Sequence, residues 1–208
     1  MSQAKERPIL FSGPMVRAIL DGRKTVTRRA VKVQPRTKGD IGSYGLGQPF
    51  IRHPDPTKRN PECPYGRPGD RLWVRETWYC DHFEVMRGPY LKPADLDVTE
   101  ARGDGTLVYA ADGLTPYEAD QPAWKPSIHM PRWASRILLE VTDVRVEQLQ
   151  AISIGQICKE GLARSIYEFI PVTTAFDAFA EVWDSINGPG AWDANPWVWA
   201  VEFKQVQP

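Results

Sequence analysis

Apolar residues recur along this chain with two periods, which separate its helices from its strands. Met15, Val16, Ile19 and Leu20 stand at helical spacing, so Pro14 to Asp21 reads as a short amphipathic helix. Ser12 fits as its N-cap, Pro14 its first turn, and Gly22 closes it. Phe176, Phe179, Ala180, Trp183 and Ile186 keep the same spacing and predict a helix from about Thr173 to Asn187, broken by Gly188-Pro189-Gly190. Ser153-Ile154-Gly155-Gln156 is a capping-box pattern, so a third helix starts there and ends near Gly161.

Alternating or β-branched runs mark the strands. Residues 8–11 form a short first strand, and Lys24 to Val31 a second. In the second, Thr25, Thr27 and Arg29 share one face, and Val26 and Arg28 the other. The turn Pro68-Gly69-Asp70 leads into a strand from Arg71 to Trp78. There Arg71, Trp73, Arg75 and Thr77 point one way, and Leu72, Val74, Glu76 and Trp78 the other. Ser135 to Val146 is the longest strand-like run, rich in Ile, Leu and Val. The last strand carries Trp197, Trp199, Val201 and Phe203 on one face.

Two stretches lack apolar periodicity. Residues 34–67 are rich in Pro, Gly and charge. Residues 81–130 are polar, with one short strand candidate from Thr106 to Ala110. Both read as excursions from one core. The expectation is an α+β, mainly β chain of one domain, residues 1–208. Its centre is a small, mostly antiparallel barrel with two or three helices packed on it and insertions at about 34–67 and 81–130.

Composition narrows the class. At 208 residues and 42% hydrophobic content, the chain can bury about 70% of its unfolded surface without disulfide or metal. No run of about 20 apolar residues exists to span a membrane. The polar start, Met1 to Arg7, and the three scattered cysteines fit a cytoplasmic protein. His53, Cys63, Cys80, His82 and His129 lack CxxC or HxxxH spacing, so no metal is expected, nor is any cofactor. Net charge is zero, but residues 1–75 hold 16 Lys and Arg against 6 Asp and Glu, and residues 76–208 hold 10 against 20. Such a split fits a basic surface for nucleic acid. It fits equally a fold whose halves interdigitate and neutralise one another.

The chemistry concentrates in Gly22-Arg23-Lys24-Thr25-Val26-Thr27-Arg28-Arg29. A lysine beside a threonine hydroxyl can form a base and nucleophile pair, and the arginines can hold an anion; the same run also reads as a solvated basic strand. Trp73 and Arg75 can stack on a base and bind a phosphate, or serve the core. Trp124 and Trp133, beside Lys125 and Arg132, are open to a nucleotide role, and His129 can line a pocket or sit on the surface.

The run Ile19-Leu20-Asp21-Gly22-Arg23-Lys24-Thr25-Val26-Thr27-Arg28-Arg29 resembles the opening motif of ASCH domains. Pro68-Gly69-Asp70 before a strand, Ile157-Cys158-Lys159-Glu160-Gly161-Leu162, and the closing strand Trp197 to Lys204 are similar to later blocks of that family. The resemblance covers about residues 8–31, 66–78 and 133–206, and leaves both excursions outside. It implies a PUA-like β-barrel and an association with RNA. The length is similar to that of ASCH-type proteins encoded by phages and prophages.

One branch of the family hydrolyses N4-acetylcytidine through a lysine, a threonine and a glutamate. By motif position these fall on Lys24, Thr27 and Glu160, with Arg29 at a motif arginine. That branch is about half this length. The resemblance therefore implies a nucleoside or RNA nucleotide as partner. Arg28, Arg29, Trp73, Arg75, His129 and Arg132 are the candidate contacts. Three rivals to the hydrolase stand: an RNA-binding module without catalysis, a ribonuclease, and a phage assembly accessory.

Overall fold

In the computed structural model, which describes residues 4–45, 47–88, 90–114 and 124–207, the chain forms a mixed α and β fold around a five-stranded sheet. Parts of the predicted N-terminal segment (1–3) and of the excursions (46, 89 and 115–123) lie outside the described residues. The first half runs β1 (Glu6–Leu10), α1 (Gly13–Leu20), β2 (Val26–Ala30), β3 (Ile41–Ser43), β4 (Pro49–Ile51) and β5 (Arg71–Arg75). The second runs β6 (Trp78–Cys80), α2 (Phe83–Arg87), α3 (Val98–Gly103), β7 (Leu107–Tyr109), β8 (Leu138–Gln148), α4 (Ile154–Lys159), α5 (Thr174–Asn187) and β9 (Trp197–Val206).

The main sheet has the order β1-β5-β8-β9-β2. Only β1 and β5 run parallel; the other pairs are antiparallel. Pro8 cannot donate to a ladder, and it is tolerated because β1 is an edge strand. The long β8–β9 pair carries a register shift between Val141 and Asp143, which bends the sheet. On one face Ile9, Leu72, Val74, Leu139, Val141, Val201 and Phe203 form the main core. On the other face Val198 meets Leu149, Ile152, Ile157, Ala175, Phe179 and Trp183, which fix α4 and α5.

The sheet is open, where a closed barrel was expected. β1 and β2 are its edges, and no ladder joins them among the described residues. A side chain crosses the gap instead: Arg29 Nη2 donates to Leu10 O at 2.6 Å, and its guanidinium lies 5.4 Å from the Phe11 ring. The Phe11 ring in turn packs at a tilt on Phe203, with centroids 6.1 Å apart.

The described parts of the excursions carry regular structure and core residues. Residues 34–67 contain the β3–β4 hairpin, which delivers Ile51 to the main core. Residues 81–130 contribute Val85, Leu96, Ala101, Leu107, Tyr109 and Met130 to a second small core under Trp78. Those residues are spaced without a period, so no amphipathic pattern announces them. Trp133 belongs here: it packs edge-on to Trp78 at 5.8 Å, and its Nε1 donates to Tyr90 O.

The cysteines are free, and burial sets their reactivity. Burial pushes the Cys63 thiol up to about 12 and that of Cys80 up to about 11, whereas Cys158 is only partly buried. A thiol titration of the native protein is therefore expected to show one fast group, with the other two appearing only on unfolding. Three fast groups would mean that the two cores open readily.

No described helix is long and apolar enough to cross a membrane.

Candidate functional site

The C-terminal end of α4 is where distant parts of the chain meet. A helix ends with carbonyls that lack partners within the helix. The last of them and the two carbonyls that follow it are taken up by three successive residues of the turn between α1 and β2. Thr25 N donates to Lys159 O at 2.9 Å, Lys24 Nζ to Glu160 O at 3.0 Å, and Arg23 Nη1 to Gly161 O at 2.6 Å. The basic run is thus a cap for α4. This docking brings Glu160 to the motif across a sequence separation of 136.

Gly161 makes the approach possible. Its φ is +92°, and a Cβ there would lie 2.7 Å from Ala18 Cβ and 3.0 Å from Lys24 Cβ. Gly161→Ala is expected to cost about 1–2 kcal/mol for the left-handed backbone and a further ~1–3 kcal/mol for overpacking. Urea denaturation should show a lower midpoint at unchanged slope. Parental stability would mean that α4 is not held against α1.

Lys24 and Glu160 form a buried ion pair, Nζ to Oε2 at 2.6 Å, with side-chain exposures of 0% and 6%. Lys24 Nζ also donates to Val26 O at 2.9 Å, so it has three acceptors, the number an ammonium needs. Burial pulls the Lys24 pKa below the ordinary lysine range; Glu160 opposes the shift, and Arg29 and Arg28 add to it. Arg28 holds the other carboxylate oxygen, Nη1 to Glu160 Oε1 at 3.0 Å, and binds Glu147 through Nε and Nη2 at 3.0 and 2.6 Å. Arg145 continues the chain of charge to Asp143 and Glu202. Part of the charge asymmetry is therefore neutralised across the fold, since Lys24 and Arg28 find their acids in the second half.

A cavity of about 420 Å³ opens against β2, with α1 and α5 as its walls. Thr27, Arg28, Arg29 and Glu160 make its polar end, while Met15, Leu162, Val182, Trp183 and Ile186 supply apolar surface. Ile186, placed by periodicity on the core stripe of α5, is 51% exposed and belongs to this wall; the core takes Ala175, Phe179 and Trp183. Among the described residues, Arg29 Nε is buried with no hydrogen-bond partner, and no hydrogen bond joins Thr27 Oγ1 to Lys24 or Glu160.

The other sequence candidates lie elsewhere. Trp73 is buried in β5 beneath the Arg75 guanidinium at 4.7 Å, and Arg75 Nη1 donates to Ile128 O. His129 is exposed, 6.3 Å from the Tyr90 ring, and Arg132 pairs with Glu6 at 2.9 Å. None of these four lines the cavity, because β8 and β9 separate β5 from β2 in the sheet. Sequence reasoning missed Glu147, which lies in a strand of mixed polarity with nothing to single it out, and the apolar α5 wall.

Among the described residues, no group of three or more His, Cys, Asp or Glu side chains could hold a metal ion. The chain matches no protein-family model, and no curated protein and no solved structure aligns with it significantly.

Proposed function

We propose that this chain is an ASCH-type protein of PUA-like fold whose cavity binds an N4-acylated cytidine and hydrolyses its amide. The observation that carries the reading is the buried contact of Lys24 with Glu160 beside a cavity that Thr27 and Glu160 both line. Two of the three residue types that amide hydrolysis can use, Thr27 and Glu160, line the cavity, and the third, Lys24, contacts Glu160 without lining it. The volume suits a ligand of nucleoside size.

The proton chemistry follows from the contacts. With three acceptors around Nζ, Lys24 has no lone pair to offer Thr27. It becomes a base by passing one proton to Glu160 along their 2.6 Å contact, a transfer that its burial favours. Lys24 then takes the Thr27 hydroxyl proton as Oγ1 attacks the acyl carbon. Arg29, which also lines the cavity, stabilises the negative carbonyl oxygen in this reading. Glu160, now protonated, gives its proton to the departing cytosine nitrogen as the C–N bond breaks. Water then cleaves the acyl-threonine, releasing the carboxylic acid and restoring the hydroxyl. Hydrogen bonds of this kind often close only around bound substrate, which accommodates the unpaired Thr27 hydroxyl.

Incubation with N4-acetylcytidine, followed by chromatography, should yield cytidine and acetate. No product from folded protein would remove the reaction from the account. A second reading, a module that binds RNA without cutting it, draws on the saturation of Lys24. It predicts binding that weakens steeply with salt and no turnover.

A further inference from the structure

Away from that cavity, a second recess of about 230 Å³ lies between the start of β1, the β3–β4 excursion and the turn before β5. Its lining is predominantly polar and carries four cations, Lys5, Arg7, Arg59 and Arg67, against two carboxylates, Glu62 and Asp70. Both carboxylates already have donors within the protein. Glu62 accepts from Gln48 Nε2 at 2.9 Å and from Arg59 Nη2 at 2.5 Å. Asp70 accepts the backbone N–H groups of Lys5 at 3.1 Å and Arg67 at 3.3 Å. Arg7 is left poorly matched. It comes no nearer than 4.0 Å to Asp70, and its Nε is buried with no partner. The side chain as a whole is 38% exposed, so the unmet demand lies at Nε, where a buried donor without an acceptor forfeits its hydration. The Lys5 ammonium has no acceptor among the described residues either, and its side chain is exposed.

The turn that bounds the recess packs closely. Gly66 sits at φ +99°, and a Cβ there would fall 2.7 Å from Asp70 Oδ2, so the turn is closed down on the carboxylate that orders it. Cys63 lines the recess, but its thiol is pushed up to about 12 by burial, which excludes a thiolate ligand or nucleophile at neutral pH.

We propose that this recess is a phosphate-binding site, with Arg7 and Lys5 as its principal donors and Arg59 and Arg67 completing the positive rim. The cationic lining suits a phosphate monoester dianion, and the forked Arg7 guanidinium matches its oxygens. A phosphodiester of an RNA backbone presents the same chemistry at lower charge. The site does not depend on the reading of the first cavity.

The test uses the whole protein and inorganic phosphate, with binding followed by isothermal titration calorimetry at fixed ionic strength set with chloride. One phosphate per chain is expected, with affinity at least tenfold weaker in Arg7→Gln and in Lys5→Ala. It should be unchanged in Lys92→Ala, which removes the same charge from the other excursion, and in Thr27→Ala. Far-ultraviolet circular dichroism confirms that each variant is folded; Lys5 is exposed, so Lys5→Ala keeps the test decisive if Arg7→Gln does not fold. Competition distinguishes the source: displacement by a short single-stranded RNA assigns the backbone phosphate, and displacement by a nucleoside monophosphate alone assigns a small phosphate ester. Absence of phosphate binding, or equal weakening in Lys92→Ala, overturns the proposal.

Discussion

Lys24→Met is expected to lose about 3–5 kcal/mol of stability, the cost of removing one partner from a buried ion pair. Methionine keeps the length and apolar stem of the side chain, so the loss reports the ammonium. Without it, the Glu160 carboxylate keeps only Arg28, and the carbonyls of Val26 and Glu160 lose a buried donor. Thermal or urea denaturation measures the effect directly. The double variant Lys24→Met/Glu160→Gln should recover part of the loss, because removing both charges spares the uncompensated one. A loss below about 1 kcal/mol in the single variant would place the pair among solvated surface bridges, and the site would lose its electrostatic anchor.

The second large effect is on chemistry. Thr27→Ala and Glu160→Gln should each lower the rate of cytidine release from N4-acetylcytidine by at least about 10²–10⁴-fold, the range for a group that moves protons in the transition state. Thr27→Ser keeps the hydroxyl and should retain much of the rate. Thr27 makes no contact in the Lys24–Glu160 pair, so Thr27→Ala should leave stability near parental. That separation of rate from stability distinguishes a nucleophile from a structural hydroxyl. Equal rates in Thr27→Ala and the parent would transfer the attack to water.

How far the fold could be read from sequence depended on how local its causes are. The capping box at Ser153 formed with both of its hydrogen bonds, and α5 ends at Asn187 before Gly188, as its period and breaker imply. These features are settled within a few residues. The parallel pairing of β1 with β5 joins segments more than 60 positions apart, and no local pattern encodes it. Nor does any pattern say that β2 is an edge strand, which is what leaves room for a cavity. The second core at Trp78 escaped because its members arrive singly among polar residues.

The site divides the same way. Lys24, Thr27, Arg28 and Arg29 were visible as one cluster, and Glu160 was tied to them only through the resemblance. The structure supplies the physical reason for that tie, since residues 23–25 hydrogen-bond the carbonyls of residues 159–161 at the end of α4. Strand parity put Trp73 and Arg75 on one face, open to a nucleotide role or to the core. Parity states which residues share a face, however, and not which face a cavity opens on.

The account turns on whether an acyl group passes to Thr27. Rapid mixing with N4-acetylcytidine, acid quench and peptide mass spectrometry would detect it. The expected result is one added acetyl group on the peptide that contains Thr27, forming as cytidine appears and absent in Thr27→Ala. Cytidine release at the parental rate from Thr27→Ala, or an acetyl group found only on another residue, would contradict it.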